Sequence, residues 1–140
     1  MISQLTIFLE NRKGHLASAT RAISDAGINM HALYLADTED FGVARILCDT
    51  PERAKEVLVE GGFRAAVTKV IAVELDDEPG SLATLLELCD DEDMNVEYAY
   101  CFIADGGKVI DVLKIGGENA ESVLAERGYK TLEASSLYAE

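Results

Sequence analysis

The chain repeats itself, and the repeat constrains its fold more than any other feature. Residues 3–67 laid over residues 69–133 with no gap place Gly14 on Gly80, Leu16 on Leu82, Asn29 on Asn95 and Gly62 on Gly128. The same offset places Leu9 on Leu75, Ala17 on Ala83, Tyr34 on Tyr100 and Leu47 on Leu113. It also places Ala54, Val57 and Leu58 on Ala120, Val123 and Leu124. A match that runs through turns and apolar positions alike implies duplication, so two small modules are expected, residues 1–68 and 69–140.

Within each copy the hydrophobic period switches in a fixed order. Leu5, Ile7 and Leu9 alternate as in a strand, and Leu16, Ala19, Ile23 and Ala26 then recur at helical spacing up to Gly27. In the second copy Ile71, Val73 and Leu75 alternate, and Leu82, Leu85, Leu86 and Cys89 form the helical stripe. Two strands follow in each copy, near residues 29–37 and 42–48, and near 95–103 and 108–115. Asp105-Gly106-Gly107 supplies a hairpin turn between the latter pair. Thr50-Pro51 opens a second helix, with the threonine hydroxyl as its expected cap, and Gly61-Gly62 closes it.

The order strand, helix, strand, strand, helix, strand predicts an α+β fold. Two ferredoxin-like βαββαβ modules stand in tandem, each an antiparallel sheet with helices on one face. The last strand of the first copy runs into the first strand of the second with no linker. Phe8, Ile46 and Val112 lie off the parity of Ile7, Leu47 and Leu113, so both sheet faces carry apolar residues. Helices on one side cannot cover both, and a homo-oligomer, simplest as a dimer, is the expected remedy.

Composition excludes several functions. A formal charge of −14 repels nucleic acid, which is held by clustered Lys and Arg. No apolar run approaches the ~20 residues of a membrane span. The start of the chain has no basic leader, so a soluble cytoplasmic protein is expected. Cys48, Cys89 and Cys101 have no close spacing, read as buried reduced thiols, and neither they nor His31 form a metal motif. The run Asp90-Asp91-Glu92-Asp93 reads as a solvated face. No cofactor is implied.

The ferredoxin-like arrangement hosts unrelated functions, so the turns must discriminate. The third strands lack the aromatic platform of an RNA-binding module, and neither first turn holds the thiols of a soft-metal carrier. Those turns read Leu9-Glu10-Asn11-Arg12-Lys13-Gly14-His15-Leu16 and Leu75-Asp76-Asp77-Glu78-Pro79-Gly80-Ser81-Leu82, each followed by a helix and then Gly27-Ile28-Asn29 or Asp93-Met94-Asn95-Val96. Both stretches resemble the ACT domain family. The resemblance spans nearly the whole chain in two copies and implies a non-catalytic regulatory module that binds an amino acid where two modules meet. The implied ligand-binding positions are Asn11, Arg12, Gly14, His15, Leu16, Asn29 and Met30 in the first copy. In the second they are Asp77, Pro79, Gly80, Ser81, Leu82, Asn95 and Val96.

Elementary chemistry suits these turns to a zwitterion. Gly14 and Gly80 let backbone approach a ligand, the N–H groups of His15, Leu16, Ser81 and Leu82 open helices where a carboxylate is favoured, and Asn11 and Asp77 offer acceptors for an ammonium. Each residue also has a structural reading. Asn11 and Asp77 suit a turn, the glycines suit positive φ, and Asn29 and Asn95 suit a left-handed bridge. Lys13 and His15 depart from the proline and small residue common in the family.

Catalysis has no support in the sequence, which lacks a nucleophile with a base motif, a His-Glu-x-x-His and a phosphate loop. The expected partners are a free amino acid and a metabolic enzyme. Leu9-Glu10-Asn11 also resembles the start of the small regulatory subunit of acetolactate synthase. A purely structural assembly module is the alternative.

Overall fold

A computed structural model describes residues 1–37, 41–117 and 119–138. The chain divides into two compact units. The first is Ser3–Thr68, and the second joins Lys69–Glu140 with Met1–Ile2. The terminal ammonium of Met1 reaches Glu121 Oε2 at 2.6 Å, which ties the start of the chain to the second unit.

The first unit contains β1 (Ile2–Glu10), α1 (His15–Asp25), β2 (Met30–Asp37), β3 (Phe41–Cys48), α2 (Pro51–Glu60) and the start of β4 (Arg64–Leu75). Its strand order is β2-β3-β1-β4, with β3 antiparallel to both β1 and β2. Leu5, Ile7 and Leu9 from β1 meet Ala44, Ile46 and Cys48 from β3 and Ala19, Ile23, Ala54 and Leu58 from the helices in one buried cluster. This is the predicted split of faces: alternate strand residues and one helical stripe share a core.

The second unit repeats the plan with the rest of β4, then α3 (Ser81–Asp91), β5 (Val96–Ile103), β6 (Val109–Ile115), α4 (Ala120–Glu126), β7 (Lys130–Leu132) and a terminal α5 (Ala134–Tyr138). β4 pairs antiparallel with β6 and with β7, and β5 pairs with β6. Its core gathers Ile71, Val73, Leu75, Leu85, Cys89, Leu113, Ile115, Ala120 and Leu124. Of the α3 stripe, Leu85 and Cys89 are buried whereas Leu82 and Leu86 are exposed, so the apolar face is narrower than the spacing suggests.

The repeat is not gapless. Leu5 pairs with Ile46 in the first unit, and its counterpart Ile71 pairs with Leu113 in the second. The third strands are therefore related by an offset of 67. The second hairpin holds one extra residue, which the segment before α4 gives back, since buried Ala54 and Leu58 correspond to buried Ala120 and Leu124. Leu47 and Leu113 are thus not equivalent: Ile46 lies with Ile7 on the helix side and Leu47 on the other. A slip of one residue reverses the faces of a strand.

The off-core positions Leu47, Val70, Ala72, Ile110 and Val112 are already buried in a single chain. Phe8, Leu33, Tyr34, Leu35, Phe41 and Ile103 remain exposed.

Three local expectations are corrected. Thr50 does precede α2, but it sits at φ 44, in the left-handed region rather than the extended one a capping residue normally adopts, and its side chain makes no capping hydrogen bond. Cys48 and Cys89 are buried, but Cys101 is exposed on β5, where no further strand covers the edge. Among the described non-glycine residues only Thr50 and Asp93 have positive φ, so Asn29 and Asn95 do not form left-handed bridges. The bridging conformation falls earlier, at Gly27 and Asp93. Among the described residues, no helix is long and apolar enough to cross a membrane.

Candidate functional site

The turn after the first strand is built identically in both units. Arg12 N–H donates to Glu10 O at 2.8 Å, His15 N–H to Arg12 O at 3.3 Å, and Ser18 N–H to Gly14 O at 3.0 Å. Sixty-six residues on, Glu78 donates to Asp76 O at 3.0 Å, Ser81 to Glu78 O at 3.3 Å, and Thr84 to Gly80 O at 2.9 Å. Gly14 and Gly80 hold φ of 86° and 94° at the helix entry. An added Cβ at either would meet nothing within 4 Å, so backbone conformation rather than crowding demands glycine there. The amides of His15 and Ser81, expected to receive a carboxylate, are instead engaged by the turn's own carbonyls.

Each turn borders a cavity made within its own unit. In the first unit a space of about 540 Å³ is lined by Phe8, Leu9, Glu10, Arg12, His15, Phe41, Gly62, Phe63 and Arg64. His15 Nδ1 lies 2.9 Å from the Glu10 backbone nitrogen and 3.3 Å from the Glu10 carbonyl oxygen, which fixes the ring against the end of β1. The imidazole stacks on Phe63 with centroids 5.3 Å apart. The Arg64 guanidinium lies 5.8 Å from the centre of the Phe8 ring, and Arg12 Nε meets Glu10 Oε2 at 3.0 Å.

In the second unit a space of about 480 Å³ is lined by Glu74, Leu75, Asp76, Glu78, Pro79, Gly80, Ser81, Thr84, Gly128, Tyr129 and Lys130. Lys130 Nζ stands 3.8 Å from Glu74, and Lys108 Nζ stands 3.4 Å from Asp76. Burial pushes the Tyr129 hydroxyl above the usual phenol range, with Cys89 adding to the rise. Both volumes suit a small metabolite.

Of the expected residues, the first cavity collects Arg12 and His15, and the second collects Pro79, Gly80 and Ser81. Leu16 and Met30 pack against the first core and Val96 against the second. The Asn29 and Asn95 carbonyls accept from Asp49 and Gly116 N–H at 3.1 and 3.4 Å. Asn11, Gly14, Asp77 and Leu82 are exposed and do not line the cavities.

Sequence reasoning missed much of the cavity walls: Phe8, Glu10, Phe41, Phe63 and Arg64, and in the second copy Glu74, Asp76, Glu78, Thr84, Tyr129 and Lys130. A signal existed. Phe63-Arg64 and Tyr129-Lys130 each follow a glycine at the repeat offset, pairing an aromatic with a cation twice.

His31 Nε2 contacts Asp49 Oδ1 at 2.8 Å, a side-chain pair within the first unit. Among the described residues, no group of three or more His, Cys, Asp or Glu is arranged to hold a metal ion.

The ACT domain pair, as a sequence family, matches residues 1–138. The chain belongs to this family. ACT domain pairs are typical of small-molecule regulatory proteins, and the family indicates no catalytic activity.

Among solved structures, protein BT0572 from Bacteroides thetaiotaomicron is 32% identical with a TM-score of 0.90, over 99% of this chain and 96% of that one. The ligand-free regulatory subunit of aspartate kinase from Thermus thermophilus shares the fold at 20% identity and a TM-score of 0.65, over 88% of both chains. The aspartokinase alpha and beta subunit structure aligns at 16% identity and a TM-score of 0.60, over 89% of this chain and 90% of that one. No curated protein matches the sequence at a significant level.

Proposed function

We propose that this ACT domain pair is a non-catalytic sensor of a free amino acid, held in the cavities beside the Gly14 and Gly80 turns. One observation carries the reading: two cavities of metabolite size occupy the same place in each unit, against turns with matching hydrogen bonds. Duplicated packing alone needs the turns but not the open space beside them. Both cavities hold carboxylates and cations together, as a zwitterion requires. A bound ligand would favour one arrangement of the protein and so change its hold on a partner enzyme, the relation suggested by the aspartate kinase regulatory subunit that shares its fold. The three residues Leu9-Glu10-Asn11 support a narrower reading, in which the partner is an acetolactate synthase and the chain regulates branched-chain amino-acid synthesis.

Thermal unfolding with each of the twenty amino acids at millimolar concentration tests the proposal. At least one is expected to raise the midpoint, by about 2.7 kcal/mol of stabilisation at a hundredfold excess over its Kd. If none shifts it, the pockets are unused and the chain is an assembly module.

A further inference from the structure

The two cavities have the same frame and opposite chemistry. At the offset of 66, Phe8 is replaced by Glu74, Arg12 by Glu78, His15 by Ser81 and Phe63 by Tyr129, whereas Glu10 and Arg64 keep their charge as Asp76 and Lys130. Three of the chain's four phenylalanines line the first cavity and none lines the second. Two arginines face one carboxylate in the first, and three carboxylates face one lysine in the second.

We infer that the first cavity is selective for an aromatic α-amino acid, and that the second excludes it. This rests on the amino-acid sensor reading and names the ligand class of its first site. The shared elements, Glu10 with Arg64 in one unit and Asp76 with Lys130 in the other, address what all amino acids share: the acid takes the ammonium and the cation takes the carboxylate. The elements that differ address the side chain. Phe8, Phe41 and Phe63 offer ring faces and edges to a flat apolar group, and the His15 ring, stacked on Phe63, extends that wall.

Arg12 adds a positive charge that a basic side chain would meet unfavourably. In the second cavity the acidic groups at Glu74 and Glu78 remove the apolar wall and invert the field. A phenyl side chain there would displace water from carboxylates without pairing them.

Isothermal titration of the full chain with L-phenylalanine, L-valine, L-lysine and L-glutamate separates the possibilities. L-Phenylalanine is expected to bind at least tenfold more tightly than the other three. Phe8→Glu with Arg12→Glu, which gives the first cavity the residues of the second, is expected to weaken it by tenfold or more. Arg64→Ala, a smaller change on an exposed side chain, is expected to do the same.

An unaltered unfolding midpoint of each unliganded variant shows that the fold persists. Binding led by L-valine, L-lysine or L-glutamate overturns the inference but leaves the sensor standing, as does L-phenylalanine binding that both variants retain. Absence of binding by any of the twenty amino acids overturns both.

Discussion

Asp111 is the residue that a core of this kind would least be expected to hold. It is fully buried, it stands opposite Val73 on the helix side of β6, and its place in the first unit is taken by Ala44. The Cys101 thiol, part-buried against Asp111 although its residue is exposed overall, donates to Oδ1 at 3.0 Å, and Oδ2 has no hydrogen-bond partner among the described residues. Burial pushes the carboxyl above its usual range, against a smaller lowering by the thiol. The Cys101 thiol is in turn pushed up to about 12 by burial, then by its bond to and the charge of Asp111.

The consequence for stability has a definite sign. A carboxyl harder to ionise in the folded chain costs nothing while it is protonated in both states. It costs progressively more as pH rises from the unfolded value near 4 through the higher folded one. Asp111→Asn, which keeps the volume and cannot ionise, is therefore expected to match the parent near pH 4. By pH 7 it should exceed the parent by on the order of 1 kcal/mol, the cost of a buried group left unpaired. Urea unfolding at the two pH values measures the difference. A gap that does not widen with pH would show that Asp111 ionises freely.

At the scale of the element, four helices end in one way and one of them breaks the residue rule. After α1 the amides of Gly27 and Ile28 return to Ser24 O and Ile23 O, and after α3 those of Asp93 and Met94 return to Asp90 O and Cys89 O. The same pair of bonds closes α2 and α4. This closure needs a left-handed residue, which is Gly27 at φ 77 in the first unit and Asp93 at φ 56 in the second. An L-residue there costs about 1–2 kcal/mol, partly returned by the greater entropy glycine would lose on folding. Asp93→Gly is expected to raise the unfolding midpoint by the equivalent of about 0.5–1 kcal/mol, and calorimetry that finds no gain would mean the aspartate stabilises its own turn.

The sequence displayed this level well, because the period of apolar residues and the spacing of glycines are local. Leu5, Ile7 and Leu9 announce a strand, and Gly27 and Gly62 announce helix ends, with no knowledge of partners. What it hid was register. Leu47 and Leu113 align in an ungapped repeat, yet they face opposite ways, since pairing across strands is non-local and one added hairpin residue leaves the apolar pattern intact. The cavity walls were hidden for the same reason: Phe41, Phe63 and Arg64 come to Phe8 and Arg12 only once the sheet forms.

For the whole molecule, duplication has preserved the frame and freed the surfaces, and the exposed apolar residues show where a second copy is expected to bind. Among the described residues the strand order ends at β2, whose neighbour in the sheet is β3. Leu33 and Leu35 lie on its helix side at 44% and 43% exposure, whereas Ala99 and Cys101 hold the matching positions on β5. An end strand with two large exposed apolar side chains invites pairing with an identical strand, and a twofold axis lets each leucine pair serve both copies.

The original ground for an oligomer, an uncovered sheet face, no longer applies to Leu47, Val70, Ala72, Ile110 and Val112. The β2 edge supplies a different and smaller one. Sedimentation velocity at micromolar concentration is expected to give about twice the 15.1 kDa of one chain. Leu33→Glu with Leu35→Glu is expected to return the chain to monomer while leaving the unfolding midpoint of each unit near its parent value, because neither leucine belongs to a core. A parent that sediments as a monomer would show that the edge is protected by its own charge and shape.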